Sequence, residues 1–87
     1  MKELEKQYKA LANGKRLAIL TYLSNIKQAS VGDIAREVKL TLKATSKHLG
    51  ILFGVDAVEK TKQSLVVLYR IAEKPSQTIK HFLNLIS

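Results

Sequence analysis

The sequence predicts a mainly helical α+β fold: a winged helix-turn-helix carrying one extra helix at each end, in the order ααααββα. Three observations predict it. Between Ser30 and Phe53 lie two short amphipathic helices with a polar break between them. From Ala57 to Ile71 the apolar period falls from 3.6 residues to 2, the change that separates helix from strand. Outside both segments, at 2–12 and 75–86, the helical period returns with a one-sided apolar stripe.

Taken in order, residues 2–12 place Leu4, Tyr8, Leu11 and Ala12 on one face and lysines on the other. Asn13-Gly14 supplies the left-handed stop that often ends a helix. A second helix runs from Lys15 to Ser24, burying Leu17, Leu20, Leu23 and the flanking Ile19. Lys15 and Arg16 oppose the dipole of its first turn, which hints at a phosphate nearby. The alternative for Arg16 is a structural hydrogen-bond donor to a loop. Asn25 to Ala29 is a polar connection.

The helix-turn-helix at 31–53 follows. Ser30 caps its first helix with Asp33 in the first turn, and Val31, Ile34, Ala35 and Val38 take helical spacing, with Arg36, Glu37 and Lys39 turned outward. Leu40 and Thr41 break the pattern. Thr41 caps a second helix, 42–53, whose apolar stripe is Thr45, Leu49, Leu52 and Phe53. Lys43 and Lys47 stand one turn apart on another face, with Ser46 and Gly50. Like charges at that spacing cost a few tenths of a kcal/mol, so a polyanion is a natural reason for them.

At 57–71, Val58 and Lys60 precede a Lys62-Gln63-Ser64 turn. The returning strand puts Leu65, Val67, Tyr69 and Ile71 on one face and Val66, Leu68 and Arg70 on the other. Pro75 fits the first position of a final helix with Ile79, Phe82, Leu83 and Ile86 on one side. The terminal helices are too short to be stable alone, so they pack against each other or against their copies in a second subunit.

Composition narrows the function. At 87 residues the chain makes one domain, 1–87, with a small core. The absence of cysteine excludes disulfides, thiolate zinc sites and thiol catalysis. The charged N-terminus is not a signal peptide, which points to the cytoplasm, and no apolar run is long enough to span a bilayer. Fifteen Lys and Arg against seven Asp and Glu leave a net charge of +8, an excess that calls for an acidic partner. Nucleic acid comes first and an anionic membrane second. The membrane reading fails on the last helix, where Lys74 and Lys80 are too few beside the apolar face. No Ser-His-acid spacing or glycine-rich phosphate loop suggests an enzyme.

Candidate DNA contacts are Lys43, Ser46 and Lys47, whose side chains are able to bond base edges or phosphate. A solvated helix face is the competing reading. Thr41 is first a cap, and the first turn it opens has no acid, leaving the positive helix end free for phosphate. Lys60, Lys62 and Gln63 lie at or near the hairpin tip, where a wing touches the backbone or minor groove; edge protection is the alternative for the two lysines. His48 suits a hydrogen bond to backbone or phosphate better than a metal. Arg70 is expected to pair with an acid or lie on the sheet.

The ordered set resembles the ArsR-type (arsenic-repressor-like) family of winged-helix regulators. Leu11-Ala12-Asn13-Gly14-Lys15-Arg16-Leu17-Ala18-Ile19-Leu20 is similar to that family's Leu-Ala-Asp-Pro-Thr-Arg-Leu-Arg-Ile-Leu. Asp33-Ile34-Ala35 matches Glu-Leu-Ala, and Thr45-Ser46-Lys47-His48-Leu49-Gly50-Ile51-Leu52 matches Val-Ser-His-His-Leu-Lys-Val-Leu. Val58 through Tyr69-Arg70-Ile71 fits the wing, and the match runs over 11–71 without a gap. The resemblance implies a homodimer joined through 2–12 and 75–86, binding double-stranded DNA at a near-palindromic operator and repressing transcription. It departs from the family's metal sensors. Ala29-Ser30-Val31-Gly32 stands where many carry a cysteine pair, and the last helix offers only His81, with no aspartate after Asp56. No metal or cofactor is expected. A winged helix used for protein or RNA contact is the alternative function.

Overall fold

In the computed structural model, which describes residues 1–86, five helices surround a small antiparallel sheet. The elements are α1 (Lys2–Leu11), α2 (Gly14–Ser24), β1 (Ala29–Ser30), α3 (Val31–Val38), α4 (Leu42–Gly54), β2 (Val58–Gln63), β3 (Val66–Ile71) and α5 (Gln77–Ile86). The expected order holds, with one addition. β1 pairs antiparallel with β3 through Ala29↔Tyr69 and Ser30↔Leu68, so β3 is the central strand of three. No helix among the described residues is long and apolar enough to cross a membrane.

The core forms where the amphipathic faces meet. Ile19, Leu20 and Leu23 of α2 pack with Ile34 of α3, Leu49 and Leu52 of α4, Val58 of β2 and Ile79 of α5, all essentially inaccessible. Each such side chain contributes about 1.5–3 kcal/mol of transfer free energy. Leu17, expected with this set, is only half-buried. Phe53, also expected in the core, is 43% exposed because Thr45, Leu49 and Leu52 already fill the inner face of α4. Its ring instead lies under the Lys60 ammonium, 4.6 Å from the ring centroid.

Three local expectations change at the level of caps and turns. Asn13 is extended, at φ −158°, and starts α2: its side chain accepts the N–H groups of Lys15 and Arg16, each at 3.0 Å. An Asn–Gly pair serves a helix start as readily as a helix stop, and no glycine here has positive φ. Lys62 and Gln63 belong to β2, paired with Val67 and Val66, so the turn is Ser64-Leu65. Ser64 takes the positive φ (59°) that tight hairpins need, and Leu65 stands 92% exposed at the tip, outside β3, instead of sharing a strand face with Val67, Tyr69 and Ile71. Finally, α5 begins two residues after Pro75. Ser76 caps it, its hydroxyl accepting the Ile79 N–H at 3.2 Å and donating to the Gln7 side chain of α1 at 2.7 Å.

Candidate nucleic-acid interface

The joint between α3 and α4 is closed by side chains. Ser30 accepts the Asp33 N–H at 3.2 Å, and Thr41 accepts the Ala44 N–H at 3.1 Å, as their capping patterns predict. Lys39 ends α3 in the left-handed region (φ 58°, ψ 51°), and the Leu40 N–H turns back to the Ala35 carbonyl at 3.0 Å. The Lys15 ammonium donates to the Val38 carbonyl at 2.7 Å. That lysine therefore sets its charge against the negative end of α3.

Thirteen residues give α4 a length of roughly 20 Å. Thr45, Leu49 and Leu52 are buried, and the Thr45 hydroxyl is satisfied by the Thr41 carbonyl at 2.8 Å. Lys43, Ser46, Lys47, Gly50 and Gly54 are exposed on the opposite side. Ion pairs among the described residues join Arg36 to Asp33 and Arg70 to Glu59, so Lys43 and Lys47 carry charge not spent on an intramolecular acid. Leu42, 61% exposed in the first turn beside Lys43, is an apolar group at this surface that periodicity did not single out. The first turn holds no acid, as expected.

The wing flanks this face. Lys60 and Lys62 are exposed on alternate residues of β2. Lys62 and Gln63 end the strand next to the tip, whereas Lys60 lies lower, opposite Tyr69 and against Phe53 of α4. Arg70 meets both expectations for it: it pairs with Glu59 at 3.0 Å and donates to the Thr61 hydroxyl at 3.0 Å.

His48 occupies a different environment from its lysine neighbours. It is half-buried, with Nδ1 3.2 Å from Nη1 of Arg16. Because a guanidinium only donates, Nδ1 is the acceptor and the ring proton sits on Nε2. Burial, then the charges of Arg16 and Lys47, hold this histidine below its ordinary pKa of 6.5. Arg16 also donates from Nε to the Ala10 carbonyl at 2.6 Å and from Nη2 to the Lys9 carbonyl at 3.1 Å. It thus ties the last turn of α1 to α4, a structural role that sequence allowed with a different partner. The residues are 32 apart, and no local pattern announces the bridge.

Among the described residues no group of three or more His, Cys, Asp and Glu side chains is placed to hold a metal ion. His81 lies in a groove between α1 and α5 with Tyr8, Leu11, Phe82 and Leu85.

Known proteins share both sequence and architecture. The profile of bacterial regulatory proteins of the arsR family matches residues 13–60. The HTH-type transcriptional regulator YgaV of Escherichia coli K12 is 31% identical over 71 residues, covering 82% of this chain and 72% of the relative. NolR of Sinorhizobium fredii superposes with a TM-score of 0.84 at 28% identity, over 99% of this chain and 82% of that one. The homodimeric winged helix-turn-helix DNA-binding domain of Mb0332 from Mycobacterium bovis gives 0.82 at 29% identity, over 98% and 75%. With its helix-turn-helix, wing and flanking helices in matching order, the chain belongs to the arsR family of bacterial regulatory proteins.

Proposed function

We propose that this chain is a homodimeric, sequence-specific DNA-binding repressor that works in the cytoplasm, by binding and not by catalysis. The observation that carries the reading is the outer face of α4, where Lys43, Ser46 and Lys47 stand exposed opposite the core, with Lys60, Lys62 and Gln63 beside them on the wing. Each subunit lays α4 in one major groove. Lys43, Ser46 and Lys47 reach base edges or phosphates there, while Lys62 and Gln63 meet the backbone. Thr41 and the acid-free first turn leave the positive end of α4 toward a phosphate. His48 serves from behind, through Arg16.

Dimerisation through α1 and α5 is supported by apolar groups the protomer leaves uncovered: Leu4, Tyr8 and Leu85 are 37%, 58% and 70% exposed. The similar Mb0332 domain is homodimeric. Two-fold symmetry then sets the two α4 helices in grooves ~34–36 Å apart, so the operator is near-palindromic and repression follows from covering it.

Selection from a random duplex pool, followed by titration at several salt concentrations, tests this. A palindrome should emerge, with log affinity falling against log salt at a slope of roughly −5 to −7 for about six to eight neutralised phosphates. Lys47→Ala should relax preference at one position per half-site, and Lys62→Ala should weaken all sequences alike. Duplex binding no tighter than ~10⁻⁴ M at physiological salt, or a Lys43→Ala/Lys47→Ala variant that binds like the wild type, overturns it. Equal affinity for single-stranded RNA would favour an RNA-contact role instead.

A further inference from the structure

On the side of α4 away from the wing, α1 presents a second row of cations. Lys2, Lys6 and Lys9 recur at helical spacing and line an open cleft floored by Gly50, Ile51 and Gly54. This row is distinct from the apolar face of α1, where Leu4, Tyr8 and Leu11 lie at the same spacing. None of the three lysines takes part in the ion pairs formed among the described residues, and Glu5 is the one acid lining the cleft. Gly50 and Gly54 continue the line of Lys43 and Lys47 along α4 at intervals of three and four residues. A Cβ at either glycine would meet nothing within 4 Å. Along this one line α4 therefore carries no side chain in its C-terminal half, and the charge beside it comes from the lysines of α1 and from Arg16 of α2.

We infer that the lysine row of α1 is a second seat for the DNA backbone, so that each subunit grips the duplex from both flanks of α4. The wing lysines hold one flank and Lys2, Lys6 and Lys9 the other, while Gly50 and Gly54 let a sugar-phosphate strand come close to the helix backbone. This rests on the DNA-binding reading above. It extends the contact to a helix whose other face serves dimerisation, so the dimer helix itself touches the ligand. Contacts of this kind position the protein without reading sequence.

The test compares wild type, Lys2→Gln/Lys6→Gln/Lys9→Gln and Glu5→Gln on the selected duplex and on an unrelated one, with sedimentation confirming that each is the same oligomer. The triple variant should bind both duplexes at least about tenfold more weakly near 0.15 M salt and flatten the salt slope by about 2 or more, at ~0.9 for each phosphate no longer neutralised. Glu5→Gln removes the lone carboxylate from the cleft and should bind both more tightly, a gain that misfolding does not produce. Hydroxyl-radical footprints of the triple variant should lose protection outside the bases read by α4. If wild type and the Lys43/Lys47 variant behave as proposed but the triple variant keeps wild-type affinity and slope, the second seat is refuted and the α4 reading stands. A weakening confined to the selected duplex refutes it too, because it would make these lysines readers of sequence. If the wild type binds neither duplex, the DNA reading itself falls.

Discussion

Replacing Arg16 by Met removes the guanidinium while keeping an unbranched stem of good helix propensity in α2. Three hydrogen bonds disappear: those to the Ala10 carbonyl (2.6 Å), the Lys9 carbonyl (3.1 Å) and His48 Nδ1 (3.2 Å). Bonds from a charged donor are worth about 1.5–3 kcal/mol each, but Arg16 is only half-buried and water is able to replace part of it. A value near 1 kcal/mol apiece, including the interaction with the negative end of α1, gives a loss of about 3 kcal/mol. For a domain of this size that is roughly 12–24 °C in Tm. Urea unfolding at fixed protomer concentration measures it, since association makes apparent stability concentration-dependent. Arg16→Lys keeps the charge but not the fork, and should fall between the two. A loss below ~0.5 kcal/mol for Arg16→Met would refute the view that this side chain fastens α1 to α4.

Two further perturbations address the interface and the histidine. Phe82→Ala in the α1–α5 groove should shift the assembly toward monomer in sedimentation, with a cost reaching ~3–5 kcal/mol; a monomeric wild type at micromolar concentration would refute the dimer. His48 has a folded-state pKa below 6.5, so the unfolded chain binds the proton more readily, and the neutral ring's stabilisation is complete above that value. It is lost as pH falls through the lowered folded value. His48→Gln retains an acceptor for Arg16 without titrating, so its Tm should decline less than that of the wild type as pH falls below about 6.5. Parallel declines would show that His48 is not the titrating group.

Periodicity made most of this fold legible because each long element buries one face against a single core. Ile34, Ala35 and Val38 of α3, and Thr45, Leu49 and Leu52 of α4, follow the helical spacing that packing requires. The lysines of the outer face were legible for the same reason, being what remains opposite those residues. β1 was not legible, since two residues show no alternation and Ala29 and Ser30 become strand only by pairing with β3, about forty positions later. Phe53 was misplaced because spacing says which side a residue is near, not whether the core still has room. The turn slipped because Ser64 adopts a positive φ that its residue type does not advertise. Arg16–His48 and Lys15–Val38 join segments whose proximity exists only after folding, so their partners were out of reach.

The closed joint between α3 and α4 bears on how association is divided between order and charge. With Thr41 bonded to Ala44, Leu40 turned back to Ala35 and Lys15 seated on Val38, the angle at which α4 projects is settled during folding. No segment of this joint has to condense out of a mobile ensemble when a duplex arrives. Docking is then a rigid-body event at this motif, free of the ordering entropy that coupled folding would impose. Its heat-capacity change should then report the surface covered, with no added term from folding of this joint.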